Sequence, residues 1–326
     1  MIRVDKNGFV YRTKFRLWES RASVRNAPRR VLAEDAHGGK LFFPPELVPM
    51  VEHPLVAERG QAVVEDLLLQ RLHVYLDFTA DLEQSAVNPV TQLISRRRIG
   101  FELPDRMIED AYKICTDESW HAQFSDDLQR QIADVTGKRP ILPSEPQFLA
   151  RLRVAESEAP PEIAGLPKLF FTIVSETLIS SILAGIPSDP RIVTAVRELV
   201  ADHAQDEGRH HAFFSSVFGR VWPALSPRER RLVGPLLAEF VFAFLEPDYP
   251  ALHEVVRAAG FTDDEARQVV EETHPRGAVV SGSRQATAST LRLFDEYGVF
   301  GDPAIAETFV ERGLLDEAGE PRAAAG

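Results

Sequence analysis

Cysteine is nearly absent, with Cys115 alone in 326 residues. One thiol excludes an intrachain disulfide framework, and it excludes zinc or iron–sulfur sites built from several cysteines. Basic charge is in deficit, at 37 Lys and Arg against 49 Asp and Glu, for a net charge of −12. That balance excludes a general nucleic-acid binder, which needs a basic face to neutralise phosphates. There is no apolar run long enough to span a membrane, so no membrane-crossing helix is expected. The N-terminus lacks the continuous apolar stretch of a secretory signal, and a cytoplasmic location is expected. What is present is a chain 44% hydrophobic and 26% charged, apolar enough for a large core and too apolar for wholesale disorder.

The little basic charge there is lies at the front. Residues 1–40 carry ten Lys/Arg and four Asp/Glu, a net of +6 in a chain of −12. Within them Tyr11, Thr13, Phe15 and Leu17 alternate with Arg12, Lys14 and Arg16, the period of a half-exposed extended segment. Residues 1–44 are therefore expected to form an extended arm on the body or on a neighbouring subunit. Beyond them the period is helical, and prolines and glycines punctuate it. One helix is expected from about Val56 to Val87, ending at Asn88-Pro89. A second runs from Pro104 to Thr136 before Gly137, a third from Pro161 to Ala184 before Gly185, and a fourth from Pro190 to Gly219. A fifth follows Ser226-Pro227, and shorter ones lie near 250–260, 263–273, 283–297 and 302–314. Residues 45–316 thus read as one all-α domain, and residues 317–326 as a frayed tail.

Glu-x-x-His places a carboxylate and an imidazole on adjacent turns of one helix face, where both can reach one metal ion. Four such pairs occur. Glu34/His37 runs into Gly38-Gly39 and Glu271/His274 into Pro275, so both read as surface accidents. Glu118/His121 and Glu207/His210 sit deep within the second and fourth helices, each preceded by an aspartate, Asp117 and Asp206. A dinuclear carboxylate site in a four-helix bundle also needs one Glu from each of two further helices. Glu176 is the only charge between Phe170 and Leu183, and a lone carboxylate there is costly to bury unless protonated, paired or metal-bound. In the first helix Asp77, Asp81 and Glu83 are candidates, and helical phase separates them only weakly. Spacing favours Glu83, which precedes Glu118 by 35 residues much as Glu176 precedes Glu207 by 31. His203 adds a third imidazole, about 40° from Glu207 and about 20° from His210 around the helix. His211 is rotated off that face.

These residues, in this order, resemble the ferritin-like diiron oxygenases, specifically the family of para-aminobenzoate N-oxygenase. Glu83 with Tyr75 two turns earlier, Glu118 and His121, Glu176, and His203, Glu207 and His210 match that family's motifs position by position. Val48 to Leu55 resembles its entry into the first helix. The resemblance implies a ferritin-like four-helix bundle with additional C-terminal helices. It implies two iron ions, with manganese as a substitute, held by Glu83, Glu118, His121, Glu176, His203, Glu207 and His210. It further implies O2 as co-substrate and an amine, free or tethered to a carrier, taken to hydroxylamine, nitroso or nitro product. Four carboxylates and three imidazoles suit iron or manganese better than zinc. Asp117 and Asp206 are candidates to hold the far ring nitrogens of the histidines. Tyr75 and Phe78 are candidates for the substrate pocket. Arylamine-carboxylate members carry a basic residue where Phe78 stands; Arg284 or Arg292 is a candidate replacement cation, although each reads more simply as a helix-surface arginine. No glycine-rich nucleotide fingerprint is visible, so a separate reductase or ferredoxin is expected to supply electrons. A homodimer is expected. Two rivals remain at this level, a diiron hydroxylase or desaturase acting on carbon, and a ferritin-like iron-binding protein without an organic substrate.

Overall fold

Residues 10–32, 39–183 and 185–316 are described by the structure, a computed structural model. Among them there is no strand, only an isolated bridge between Leu41 and Ile192. Four long helices make the core: α1 (Gln61–Leu82), α3 (Asp105–Thr136), α5 (Leu166–Leu183) and α6 (Thr194–Val221), with the short α2 (Asn88–Ser95) continuing α1. Gly137 ends α3 in the left-handed region at φ 70°, where a side chain would be strained. α1 packs on α3, α3 on α6 and α5 on α6, while the turn after α1 touches α5 and closes the ring. The result is the expected all-helical, ferritin-like bundle.

The first helix departs from expectation. Asn88-Pro89 does not stop it, because Glu83–Val87 forms one wider π-turn in which the Asn88 N–H donates to the Glu83 carbonyl, five residues back. The wider turn brings Pro89 into the first turn of α2, where a missing N–H costs nothing. The same turn carries Glu83 to 1% exposure, while Asp77 and Asp81 remain half-buried.

The remaining helices wrap this core. α4 (Gln147–Glu158) and α7 (Pro227–Leu245) lie against α5. A capping box between Ser226 and Glu229 starts α7. Along it Val233, Leu237, Phe240, Val241 and Phe244 are buried. α8 (Tyr249–Ala258), α9 (Asp263–Thr273), α10 (Arg276–Ala286), α11 (Ala288–Glu296) and α12 (Pro303–Glu311) follow. The expected 283–297 helix is instead two. The Thr287 hydroxyl donates back to the Ser283 and Arg284 carbonyls at the break, which competes with the regular ladder. α4 was not expected, since only Phe148, Leu152 and Ala155 of its twelve residues are buried, a faint apolar stripe.

The arm is not a strand. Burial alternates only as far as Phe15. Leu17 is exposed, and Trp18–Arg21 and Ser23–Asn26 form single helical turns across α3 and α6. The helical turn allows Trp18 rather than Leu17 to face inward, where its indole finds a partner on α3. Ion pairs of Arg29 with Asp127 (2.7 Å) and of Arg30 with Asp202 (2.7 Å) hold the arm down. Residues 1–9 and the tail from 317 lie outside the described residues, as do Glu34 and His37.

Candidate metal centre

Seven polar side chains point into the middle of the bundle, each at most 1% exposed. They are Glu83, Glu118, His121, Glu176, His203, Glu207 and His210, the set expected from the sequence. Glu118 and Glu207 occupy the centre. Glu118 lies 2.8 Å from Nδ1 of both His121 and His210. Glu207 Oε1 is 3.1 Å from His203 Nε2, 3.3 Å from His210 Nδ1 and 3.5 Å from His121 Nδ1. Glu83 stands at one end, 3.7 Å from His203, and Glu176 at the other, 3.9 Å from His210.

Apart from the hydrogen bond between His121 Nδ1 and Glu118, these short separations are not hydrogen bonds. Both oxygens of Glu83, Glu176 and Glu207, both nitrogens of His203, and His210 Nδ1 are buried without a hydrogen-bond partner. Each unsatisfied buried group costs about 1–3 kcal/mol, and more when charged, so a cluster of them needs another explanation. The atoms aim at shared points between them rather than at one another. The donor atoms of Glu83, His121, His203 and Glu207 lie within 4.8 Å of each other, as do those of Glu118, His121, Glu207 and His210, and those of Glu83, Glu118 and Glu176. Two overlapping groups of hard oxygen and imidazole donors sharing Glu207 and His121 fit two adjacent metal ions.

Electrostatics divides the carboxylates. Burial, followed by the charges of Glu118, Glu176 and Glu207, pushes Glu83 well above the ordinary value. Burial and then Glu207 do the same to Glu176. Burial also raises Glu118 and Glu207, but His210 and the other rings outweigh it and leave both below the usual range. Burial opposes protonation of His121, yet Asp206 and Glu118 push it up to about 10. His203 is lowered, by burial and then by His121. Without cations, burial thus favours protons on Glu83 and Glu176, while the rings favour the charged forms of Glu118 and Glu207.

The two aspartates brace the rings crosswise. Asp117, beside Glu118 on α3, lies 3.2 Å from Nε2 of His210 on α6, and Asp206 on α6 lies 3.2 Å from Nε2 of His121 on α3. A carboxylate on Nε2 places the ring proton there and leaves Nδ1 free to face the cluster. The arm braces the aspartates in turn. The Trp18 indole N–H donates to both oxygens of Asp117 at 2.8 and 2.9 Å, the Ser23 backbone N–H donates to Asp206, and Arg209 also pairs with Asp206. Trp18 and Ser23 are absent from the sequence reading. A lone tryptophan in a basic arm was the one signal available, and nothing in its spacing relates it to a residue 99 positions on. Trp18→Phe keeps the ring and removes the donor, so urea unfolding at matched metal content should show a loss of about 1–3 kcal/mol. Unchanged stability would make the contact purely apolar.

A sequence model of the family described as p-aminobenzoate N-oxygenase AurF matches residues 21–298, which include all seven clustered residues and both aspartates. The chain belongs to this N-oxygenase family. A 4-aminobenzoate N-oxygenase from Streptomyces thioluteus is 24% identical over 291 residues, covering 86% of this chain and 81% of that protein.

Near the cluster lies a cavity of about 510 Å³ between α1, α4, α7, α8 and α10. Tyr75 lines it and feels the charges of Glu207 and Glu83, so the cavity borders the cluster. Phe78, another lining residue, packs edge-on to Phe148 at 4.9 Å and against Phe244 at 5.6 Å. Of the expectations for residues nearby, that for His274 needs correction. Arg284 lines a separate surface hollow and Arg292 is exposed, so neither supplies this cavity with charge. His274 is half-buried and lines the cavity, because α9 ends there and turns the ring inward, while Glu271 is exposed as expected. Cys115 is half-buried, near the edge of the buried α3 face.

Proposed function

We propose that this chain is a non-haem diiron monooxygenase that N-oxygenates an amine with O2. The observation that carries the reading is the set of buried, unpartnered carboxylate and imidazole atoms beside an apolar cavity. Glu83, Glu118, His121, Glu176, His203, Glu207 and His210 would hold two iron ions, with manganese the plausible substitute by donor type. Bound iron would supply the reductive activation of O2. The chain's own residues do the rest. Asp117 and Asp206 fix His210 and His121 in one tautomer. The aromatic wall of Phe78, Phe148 and Phe244 excludes water and presents the amine to the end of the cavity nearest Tyr75. The name of the Streptomyces relative makes 4-aminobenzoate the first substrate to try. The single electrons required come from a separate reductase or ferredoxin, and the enzyme works as a cytoplasmic homodimer.

The test is mass spectrometry of amines incubated with iron-loaded protein, reductant and ¹⁸O2. Label on nitrogen is expected, with iron at close to two per chain. Iron uptake without any labelled amine would favour ferritin-like storage, and label on carbon would favour a hydroxylase.

A further inference from the structure

Arg71 lies on α1, one turn before Tyr75 and two turns before Phe78. Its guanidinium sits over the Phe43 ring, 5.5 Å from the centroid, and its side chain lines the cavity. Burial lowers its pKa, Tyr75 and His274 are the groups that act on it, and among the described residues no carboxylate pairs with it. The acids in the same wall are engaged elsewhere. Glu246 pairs with Arg151 at 2.7 Å, and Asp248 accepts from the backbone of Ala251 and Gln147. His274 faces the same space, with Nδ1 against the Val270 carbonyl. An unpaired guanidinium in a largely apolar cavity is costly unless a ligand supplies the counter-charge.

We propose that Arg71 is the anion-binding end of the cavity, and that the ligand is an amine whose carboxylate stands further from nitrogen than one benzene ring allows. This rests on the reading of the adjacent cluster as the site of oxygenation. Distance along α1 sets the length. Arg71 precedes Glu83 by twelve residues, roughly 18 Å of helix, of which the two side chains span only part. A planar guanidinium takes a carboxylate through two parallel N–H donors, a geometry lysine cannot reproduce. The apolar stretch between the two ends, lined by Phe78, Phe148 and Phe244, suits an aromatic or extended hydrocarbon spacer.

Three probes test this by titration calorimetry on iron-loaded protein without reductant: 4-aminobenzoate, 4′-aminobiphenyl-4-carboxylate and the methyl ester of the latter. Wild type should bind the two-ring acid more tightly than its ester, a comparison that needs no variant. Arg71→Met should weaken the two-ring acid roughly tenfold to hundredfold and leave the ester and the one-ring acid within about twofold. Arg71→Lys should recover part of the loss. Equal binding of acid and ester by wild type would overturn the proposal, as would equal weakening of both by Arg71→Met. A one-ring acid that depended on Arg71 as strongly would overturn the length argument. Charge-dependent binding of the two-ring acid with no oxygenated product under reductant and O2 would leave the Arg71 site standing and remove the N-oxygenase reading.

Discussion

Stripping the metal should lower the melting temperature by on the order of 10 °C without unfolding the protein. An ion that binds the folded chain and not the unfolded one stabilises by about 4 kcal/mol at a thousandfold excess over its Kd. In a domain this large, that amounts to several degrees per ion. The drop is bounded because the cluster has a metal-free solution. Burial and mutual repulsion push Glu83 and Glu176 toward their protonated forms, and His121 carries a proton under the pull of Asp206 and Glu118. The glutamates are therefore not left as four bare buried charges, which would cost several kcal/mol each. Calorimetric melts of one preparation before and after chelation, with metal content measured in both, give the comparison. An unchanged melting temperature after verified removal would mean that the seven side chains do not bind metal in the folded state.

The helical core was legible because its punctuation is chemical. Gly137 and Ser226-Pro227 act through backbone constraint and capping, which depend on neighbours in sequence. Glu176 was legible for a similar reason, as the only charge in a long apolar stretch. Glu83 was harder. Its burial depends on a π-turn, and a π-turn is set by where α1 must deliver its side chain against α3 and α5, not by local propensity. The arm misled because alternation is correct up to Phe15 and fails where Trp18 turns to reach Asp117, a contact across 99 residues. Arg71 was invisible for a different reason. On a helix surface an arginine ordinarily meets solvent, and only the later placement of α4, α8 and α10 around α1 encloses this one. His274 follows the same logic, since Pro275 marks the end of α9 but says nothing about what the end faces.

Glu207→Ala and His203→Ala should fail in different ways, and the difference separates an oxygenase from an iron store. Glu207 reaches all three rings, within 3.1 to 3.5 Å of His203, His210 and His121. Removing it takes the central carboxylate from both groups of donors that contain imidazoles. Iron stoichiometry should fall to nearly zero, and amine oxidation should fall by at least about a thousandfold, the usual consequence of dismantling a unit whose members act together. His203 belongs to only one of those groups, at the Glu83 end. His203→Ala removes a neutral donor and leaves four glutamates with His121 and His210, the complement of a simple dinuclear bundle site. Iron uptake should therefore stay close to two per chain. Amine oxidation should still be lost, because one ion then has a coordination position open to water. Two measurements on each variant suffice, iron per chain and labelled product from ¹⁸O2. Full amine oxidation by His203→Ala would make His203 a buried ring without a role in the chemistry. Full iron loading of Glu207→Ala would remove the centre itself from between α3 and α6.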